Sequence, residues 1–420
     1  MNSPSQRDLT PLLTPLQKDL IYKESEFGAD TYKPLPVVLS KGSGVWLWDV
    51  DGNKYLDMMS AYSAVSHGHS HPELIKVLRE QSERLVLTSR AFYTETLGAF
   101  LEKLTEVSGF EIGLPMNTGA EGVETAIKAI RRWGYKSKKI PPNKAEIIVA
   151  DQNFHGRTTT IISFSSDKES KENFGPLTPG FKTVKFGCID SLRSAITENT
   201  AAVLVEPIQG EAGIVIPDPS WLPKVRELCT ENNVLLILDE VQSGLGRTGK
   251  MFAFEHSLIR PDGLILGKAL GGGMLPVSCF LSSKEVMQWF TPGSHGSTFG
   301  GFSLAAAIGK RSIELIEEEQ LAENSMNLGN YFLNQLKKIS SPIITEVRGK
   351  GLWIGIEIDT KIISGRELCK RLLTKGILSK ETHDSVIRFA PPLVITKKEI
   401  DWALEIFNQV ISEIQAEQKN

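Results

Sequence analysis

Two segments of the chain place a reactive side chain directly after a buried-strand pattern. The apolar run Val234–Leu238 ends in Asp239, and the run Gly263–Leu266 is followed by Gly267 and Lys268. Taken alone, such an Asp most simply caps a turn and such a Lys most simply lies at the surface. Together, an acid and an amine that end two neighbouring strands match the needs of pyridoxal phosphate. Its pyridine nitrogen requires a carboxylate partner, and its aldehyde requires a lysine amine.

A third segment is suited to binding a phosphate group. Residues 116–124 read MNTGAEGVE, in which Thr118 and Glu121 form a capping-box pattern at the start of a predicted helix. Backbone N–H groups at a helix N-terminus bind anions, and Gly119 would leave that end open to a phosphate. Ordinary helix capping gives the same pattern, so both interpretations stay open at this point.

The elements that must position these residues alternate along the middle of the chain. Continuous apolar runs separated by amphipathic stretches predict a mostly parallel sheet covered by helices on both faces. Ligands of such sheets bind at the carboxyl ends of the strands. The predicted strands are Glu146–Ala150, Ala201–Val205, Val234–Leu238, Gly263–Leu266 and Val277–Leu281, and the clearest helices are Glu121–Gly134 and Trp221–Asn232.

The two ends of the chain predict a smaller α+β domain beside this α/β domain. We expect residues 1–60 to form its N-terminal part, residues 61–303 the large cofactor-binding domain, and residues 304–420 the C-terminal part. Asp51-Gly52 is a hairpin signal between two short strand patterns. The other predicted elements are strands at Val45–Val50, Lys54–Met58 and Leu352–Ile358, one long helical pattern from about Leu304 to about Lys338, and helices near Gly365–Lys375 and from about Lys397.

Composition excludes several classes of protein. The 47 Lys and Arg residues nearly balance the 50 Asp and Glu residues, so we expect neither a nucleic-acid nor an anionic-membrane partner. The sequence has no run of apolar residues long enough for a membrane span and no N-terminal targeting pattern. Its four cysteines are scattered, which is typical of a reducing compartment. We therefore expect a cytoplasmic protein.

Motifs along nearly the whole chain resemble one enzyme family. The most specific combination is DEVQSGLGRTG at 239–249 with GKAL at 267–270, and it is strengthened by EPIQGEAG at 206–213, HGSTFGG at 295–301 and RFAPPLV at 388–394. These motifs resemble the class III pyridoxal-phosphate-dependent aminotransferases of fold type I. Within that family the similarity is greatest to enzymes acting on ornithine. It implies δ-transamination of L-ornithine with 2-oxoglutarate, giving glutamate 5-semialdehyde and L-glutamate.

The resemblance also implies which residues hold the cofactor. Lys268 resembles the lysine that attaches pyridoxal phosphate and carries a proton to and from the substrate. Asp239 resembles the partner of the pyridinium nitrogen, and Gln242 the ligand of the 3′-oxygen. Phe154 resembles the ring that stacks on the cofactor. His155, the next residue, stands where animal ornithine enzymes carry Trp.

The phosphate site implied by the resemblance involves two subunits. Gly119 and Ala120 would bind the phosphate through their backbone N–H groups. Thr298 of the partner subunit would complete the site, so the resemblance implies a homodimer with shared active sites. No metal ion is expected in this chemistry.

Substrate-binding residues are also implied by the resemblance. Tyr32 and Arg157 resemble the pair that holds the α-amino and carboxylate end of ornithine, and Tyr62 resembles the tyrosine that favours ornithine over 4-aminobutyrate. Glu211 and Arg388 resemble a switch pair. When closed, the carboxylate masks the arginine; when open, the arginine takes a carboxylate of 2-oxoglutarate.

Alternative functions remain open beside this one. The nearest is another class III ω-aminotransferase, with N-acetylornithine, 4-aminobutyrate or lysine as the donor. A remote one is a nicotinamide-dependent dehydrogenase, because GLGRTG at 244–249 fits the GxGxxG pattern. The expected helix start and acidic residue do not follow it. His67, His69 and His71 could suggest zinc, but turn and helix-start roles before Pro72 fit them better.

Overall fold

The computed structural model describes residues 13–419 of the chain. The strands, in chain order, are β1 (Leu39–Ser43), β2 (Trp46–Asp49), β3 (Lys54–Asp57), β4 (Ile112–Met116), β5 (Glu146–Ala150), β6 (Phe181–Val184), β7 (Thr200–Val205), β8 (Leu235–Asp239), β9 (Gly263–Leu266), β10 (Ser278–Ser282), β11 (Ile344–Gly349), β12 (Ile354–Ile358), β13 (Ile377–Leu378), β14 (Lys380–Thr382) and β15 (Val386–Phe389).

The helices connect these strands and cover the sheets. They are α1 (Pro15–Phe27), α2 (Ser60–Ser63), α3 (Pro72–Arg84), α4 (Glu95–Ser108), α5 (Gly119–Lys136), α6 (Thr159–Ile162), α7 (Ile189–Ala195), α8 (Trp221–Glu231), α9 (Lys284–Met287), α10 (Ser303–Glu318), α11 (Leu321–Leu336), α12 (Gly365–Thr374) and α13 (Lys397–Lys419), with 3₁₀ turns at Ala253–Ser257 and Lys268–Gly271. Within the described part of the chain, none of these helices combines the length and apolar character that a membrane crossing requires.

A seven-stranded sheet forms the centre of the molecule, in the order β4-β10-β9-β8-β7-β5-β6. Neighbouring strands from β6 to β9 are parallel, and β10 is antiparallel to both β9 and β4. The prediction of a mostly parallel sheet is therefore confirmed, and all five predicted strands of this sheet are present. Strands β4 and β6 were not predicted, because β4 contains Gly113 and Pro115 and β6 is only partly buried.

Helices cover this sheet on both faces, as predicted. Alternate residues of a strand point to opposite faces. In β8, Leu236 and Leu238 pack in the same core cluster as Trp221 of α8. Leu235 and Ile237 pack with the apolar side of α5 in a second cluster. The strand is thus buried on both sides, which explains its unbroken apolar sequence.

The two ends of the chain meet in the smaller sheets. The predicted N-terminal hairpin is present, because β2 and β3 pair antiparallel across Asp51-Gly52. Strand β3 also pairs in parallel with β13 from the C-terminal region, which gives the order β1-β2-β3-β13. A third sheet, in the order β11-β12-β15-β14, lies entirely in the C-terminal region. Its strand β15 carries Arg388 towards the centre of the molecule.

The prediction of one long helical pattern from Leu304 to Lys338 was wrong. The structure has two helices there, α10 and α11, which are separated at Glu319 and Gln320. Gln320 has a left-handed backbone conformation, with φ of 53°, which ends one helix and turns the chain before the next. The side chains around this break are good helix formers, so apolar periodicity could not reveal it.

Candidate active site

The ends of four neighbouring strands bring the candidate catalytic side chains together. Glu206 follows β7, Asp239 ends β8, and Lys268 lies two residues beyond β9. The loop after β5 contributes Phe154 and His155. These residues line one cavity of about 170 Å³ at the carboxyl ends of the parallel strands. The complete lining is Gly119, Ala120, Phe154, His155, Gly156, Glu206, Ile208, Asp239, Val241, Gln242, Ser243 and Lys268.

Asp239 is a buried carboxylate held by two hydrogen bonds. His155 Nδ1–H donates to its Oδ2 over 2.6 Å, and the Val241 N–H donates to its Oδ1 over 3.0 Å. Burial by itself lowers the pKa of His155, but the hydrogen bond and charge of Asp239, with the charge of Glu206, raise the pKa of the imidazole overall. The contact with Asp239 therefore favours the protonated form of the His155 imidazole. The carboxyl group of Asp239 is therefore held in a position where it can accept a hydrogen bond from a cationic N–H group.

Lys268 presents a free amine to the same cavity. Its backbone has a left-handed conformation, with φ of 46°, which turns the side chain away from the strand direction. Its Nζ forms no hydrogen bond or ion pair with any residue between 13 and 419. Removal from water lowers the pKa of Lys268, although the charges of Glu211, Asp239 and Glu206 oppose that shift. A lowered pKa makes the neutral, nucleophilic amine more accessible.

Glu206 connects two loops at the floor of the cavity. Its Oε2 accepts the Phe154 N–H over 3.1 Å, and its Oε1 accepts the Gly210 N–H over 3.5 Å. Burial raises the pKa of Glu206 to about 7, and the nearby charge of Asp239 adds to this effect. Glu206 and His155 are the two ionisable residues of the cavity for which the sequence motifs predicted no role. The signal for Glu206 was present, because it follows a buried strand as Asp239 and Lys268 do.

The N-terminus of α5 leaves two N–H groups free beside the cavity. The predicted capping box is present: Thr118 Oγ1 accepts the Glu121 N–H over 3.2 Å, and Glu121 Oε2 accepts the Thr118 N–H over 2.8 Å. The N–H groups of Gly119 and Ala120 lie between these two and have no intrahelical acceptor. A Cβ atom on Gly119 would come within 2.9 Å of Val241, so only glycine allows this close approach.

These groups fit pyridoxal phosphate. The cavity offers an unpaired amine at Lys268, a carboxylate at Asp239, an aromatic ring at Phe154, and free N–H groups at Gly119 and Ala120 for a phosphate. Lysine, carboxylate and helix N-terminus lie on different elements, yet they line the same space. The three sequence segments that suggested this cofactor are therefore brought together by the fold.

An ion pair lies beside the cavity, between the large sheet and the C-terminal sheet. Arg388 Nη1–H donates to Glu211 Oε1 over 2.7 Å, and Gln242 Nε2–H donates to the same oxygen over 3.2 Å. Burial alone would raise the pKa of Glu211, but Arg388 and Lys268 hold it below its ordinary value. The Arg388 guanidinium also lies 5.0 Å from the centre of the Tyr62 ring. The pair is closed in this structure.

The remaining predicted residues lie outside the cofactor-sized cavity. Arg157 is exposed and lines a neighbouring cavity of about 640 Å³, together with Glu211 and Phe154. Its guanidinium carbon lies 5.7 Å from the centre of the Phe154 ring. Tyr32 is 72 % exposed, and Thr298 is exposed as well. The structure thus brings together the residues predicted to bind the cofactor and to form the switch, but leaves these three at the surface of one chain.

The discounted motifs have structural roles. GLGRTG forms turns after β8 and is followed by a 3₁₀ turn rather than by the helix of a dinucleotide site. His67 Nε2 bonds to the Ser312 carbonyl, His69 pairs with Asp57, and His71 precedes α3. Among residues 13–419, no group of His, Cys, Asp and Glu side chains has the arrangement of a metal site.

Comparisons with known proteins show the family of the chain. The sequence model of the class III aminotransferase family matches residues 27–411, so the chain belongs to the class III aminotransferases. Enzymes of this family depend on pyridoxal phosphate. The ornithine aminotransferase of Brevibacillus brevis is 54 % identical over 93 % of this chain and 98 % of its own length. That of Bacillus subtilis is 53 % identical over 94 % of this chain and 98 % of its own length.

Solved structures are similar over nearly the whole chain. The ornithine aminotransferase of Toxoplasma gondii, with partially occupied PLP at its active site, has a TM-score of 0.95 and 40 % identity, covering 96 % of each chain. The acetylornithine aminotransferase of Elizabethkingia anophelis has a TM-score of 0.88 and 48 % identity, covering 94 % of this chain and 99 % of its own. The predicted fold type I architecture is thereby confirmed.

Proposed function

We propose that this protein transfers the δ-amino group of L-ornithine to 2-oxoglutarate, giving glutamate 5-semialdehyde and L-glutamate. The observation that carries this proposal is the closed Glu211–Arg388 pair beside the Lys268 cavity. Relatives at 54 % identity that are named ornithine aminotransferases support the choice of donor. An enzyme that must accept both a diamino acid and a dicarboxylate needs an arginine that can be masked and unmasked.

Lys268 and Asp239 are proposed to carry the chemistry. When bound, pyridoxal phosphate acts as an electron sink for the substrate carbon that bears the reacting amine. Lys268 Nζ would attach the cofactor and then move the proton at that carbon, which requires the amine to be neutral for part of the cycle. Asp239 would hold the proton of the pyridine nitrogen, and His155 would hold the Asp239 side chain in position through the 2.6 Å hydrogen bond.

The other cavity residues are proposed to orient the cofactor. Gly119 and Ala120 would bind its phosphate through their free N–H groups, and Phe154 would stack on the ring. Gln242 would contact the 3′-oxygen while also holding Glu211. Each of these contacts fixes the ring without taking part in proton transfer.

Glu211 and Arg388 are proposed to separate the two half-reactions. With ornithine, the closed pair neutralises Arg388, so the α-carboxylate is not drawn to it and the δ-amine can reach the reacting position. Tyr32, Tyr62 and Arg157 would hold the α-amino and carboxylate end. With 2-oxoglutarate, Glu211 would release Arg388, whose guanidinium forms two parallel hydrogen bonds with a carboxylate.

We propose a homodimer with shared active sites. Thr298 of the partner subunit would complete the phosphate site, and the exposure of Thr298 in its own chain leaves it available for this. Large apolar side chains are also exposed near that loop and before α4; they are Leu85, Val86, Phe92, Tyr93 and Phe299. Soluble monomers rarely expose such groups of residues, whereas interfaces bury them. Sedimentation velocity should give twice the chain mass of 46.3 kDa, and a monomer would contradict this proposal.

Two further proposals concern domains and location. We propose that the chain divides near residues 60 and 303, since β3 from the first segment pairs with β13 from the last. We propose a cytoplasmic location, since all four cysteines are free. Limited proteolysis and fractionation of the producing cell would test these two proposals separately.

A panel of amine donors tests the proposed reaction. The visible absorbance of the cofactor-loaded protein should decay fastest with L-ornithine, and more slowly with N-acetylornithine, 4-aminobutyrate or lysine. The acetylornithine aminotransferase at 48 % identity makes N-acetylornithine the second candidate donor. Faster decay with N-acetylornithine than with ornithine would contradict the proposed donor. If the absorbance does not decay with any of these amines, the proposed reaction is contradicted.

A further inference from the structure

Tyr62, whose ring faces Arg388, lies on a strained turn. Ser60, Ala61, Tyr62 and Ser63 form helix α2, and their φ angles are 44°, 48°, 58° and 72°. A left-handed conformation brings Cβ too close to the following carbonyl oxygen, so consecutive non-glycine residues adopt it only when their surroundings impose it. The turn therefore needs an external support. It carries Tyr62, whose ring centre lies 5.0 Å from the Arg388 guanidinium.

Hydrogen bonds at Ser60 and Ser66 provide this support. Asp57 Oδ1 accepts the Met59 and Ser60 N–H groups, each over 2.8 Å, and so fixes the start of the turn. Ser60 Oγ–H donates to the Ala390 carbonyl over 2.6 Å. Ser66 Oγ–H donates to the Ser63 carbonyl over 3.2 Å, which fixes the end of the turn. Both hydroxyl oxygens keep acceptor positions, and both face the same guanidinium.

That guanidinium belongs to Arg247, which is completely buried. Its Nη2 donates to Ser60 Oγ over 3.2 Å and to Ser66 Oγ over 3.1 Å. Its Nη1 donates to the Pro391 carbonyl over 2.6 Å and to the Leu352 carbonyl over 2.9 Å. Pro391 lies just beyond β15, the strand that carries Arg388. One side chain therefore bonds both the turn that carries Tyr62 and the strand end that carries Arg388.

Burying the charge of the Arg247 guanidinium is electrostatically unfavourable. Within residues 13–419, no carboxylate forms an ion pair with Arg247, and its Nε–H has no acceptor. Burial lowers the pKa of Arg247 to about 9, although the charge of Asp57 opposes the shift. An apolar side chain could fill the same space at less electrostatic cost. It could not form the four hydrogen bonds to two hydroxyls and two carbonyls that the fork-shaped guanidinium forms.

We propose that Arg247 is a specificity-determining positioning residue, which holds the left-handed turn so that Tyr62 stays against Arg388 when the donor binds. This rests on the proposed function of Tyr62 and Arg388. Arg247 touches neither the cofactor cavity nor the Glu211 carboxylate, so it acts only through the two elements that it joins.

Three variants test this inference. Arg247→Lys keeps the charge but loses the planar fork, and Ser60→Ala removes the hydroxyl that joins the guanidinium to the turn. Ser325→Ala is the matched control. Its hydroxyl is equally buried and donates to the main-chain carbonyl of Arg247 over 2.8 Å, but it has no contact with the turn.

Crystal structures and donor kinetics of the cofactor-loaded variants should be compared with the wild type. In Arg247→Lys and Ser60→Ala, the backbone of residues 60–63 should lose its left-handed conformation. The Tyr62 ring should then move away from Arg388. The ratio of kcat/KM for ornithine to kcat/KM for glutamate should then fall by about tenfold, the size of effect expected for losing one or two buried hydrogen bonds. Ser325→Ala should lower the melting temperature while keeping the turn and the ratio unchanged.

The outcomes separate this inference from the proposed function. A turn that stays left-handed in Ser60→Ala and in Arg247→Lys overturns the inference. A turn that relaxes without changing the ratio beyond the Ser325→Ala control overturns it as well. If Arg247→Lys does not fold, Ser60→Ala decides alone. A wild-type enzyme that does not use ornithine would overturn the proposed function, while the structures of the variants would still decide whether Arg247 holds the turn.

Discussion

The two sides of the candidate site differ in how firmly a single chain builds them. On the cofactor side, Asp239 and Glu206 are 5 % and 6 % exposed, and both follow strands of the central sheet. Their carboxylates accept hydrogen bonds within the same chain. On the substrate side, Tyr32 is 72 % exposed and Arg157 is also exposed. The carboxylates of the cofactor side are buried and hydrogen-bonded within a single chain, whereas these two residues of the substrate side are exposed.

This difference indicates which side chains of the site the fold holds in fixed positions. A sheet fixes the relative positions of side chains that leave its strands, so the lysine and the acid stay in register without further help. Exposed residues on loops gain a fixed position only from additional contacts. In the proposed homodimer the partner subunit would supply them. Tyr62 is an intermediate case, because a strained turn and Arg247 fix it from within the chain.

Lys268→Ala should have the largest effect, because it removes the side chain proposed to be both the covalent anchor and the proton carrier. Turnover with ornithine and 2-oxoglutarate should fall by more than about a thousandfold. The cofactor should still bind through the remaining contacts, which equilibrium dialysis would measure. Lys250→Ala, at an exposed position, is the control and should keep the wild-type rate. Near wild-type turnover of Lys268→Ala would show that another group moves the proton.

Asp239→Asn should come next in size, since a neutral amide cannot hold the proton of the pyridine nitrogen. We expect kcat to fall by about a hundredfold to a thousandfold, while the fold is retained. The partner His155 should lose its raised pKa, because Asp239 is the main cause of that rise. Steady-state rates and NMR titration of the imidazole would measure both effects. Asp384→Asn, an exposed control, should change neither, and unchanged rates in Asp239→Asn would place the ring nitrogen elsewhere.

Tyr62→Ile should change preference more than rate. The hydroxyl is proposed to bond the α-amino end of ornithine, a group that 4-aminobutyrate lacks. The preference for ornithine should therefore fall by about tenfold, because a buried polar partner discriminates against ligands that leave it unpaired. Tyr22→Ile on α1 is a control at an exposed position. Parallel losses with both donors would leave Tyr62 only a packing role.

The effect of Glu206→Gln on stability should depend on pH. The pKa of Glu206 is raised from 4.5 to about 7 in the folded protein, so folding favours the neutral carboxyl. Its contribution to stability is full below about pH 4.5 and is lost as the pH rises through 7. Glutamine is neutral throughout. The free energy of unfolding of the wild type should thus fall relative to the variant by up to about 3 kcal/mol between pH 5 and pH 8.

Urea unfolding of both cofactor-free proteins at several pH values would measure this difference. A difference that stays constant from pH 5 to pH 8 would mean that Glu206 is ionised in the folded protein throughout this range.

The sequence predicted the parts of the molecule that follow local rules. Continuous apolar runs predicted the strands, and the position of a residue directly after a strand predicted that Asp239 and Lys268 share a site. The Thr118–Glu121 capping box was also predicted, because it depends only on neighbouring residues. Substrate residues were available only through the resemblance to a family, since no local pattern marks them.

Features that depend on tertiary contacts could not be predicted. The left-handed turn at Ser60–Ser63 contains no glycine, and only its bonds to distant residues stabilise it. The break at Gln320 has no turn residue either. The His155–Asp239 hydrogen bond joins positions 84 residues apart. Side chains that support one another across the fold leave no periodic pattern in the sequence.

Glu211→Ala, measured in each half-reaction separately, tests the proposed switch most directly. Removing the carboxylate leaves Arg388 permanently unmasked. Stopped-flow decay of the cofactor absorbance should become faster with glutamate as donor, by about tenfold, because an unpaired arginine binds the substrate carboxylate directly. With ornithine the δ-selectivity should be lost, and 2-oxoglutarate should bind as well as before or better. Equal changes with ornithine and glutamate would contradict the switch and leave Glu211 an ordinary acid of the pocket.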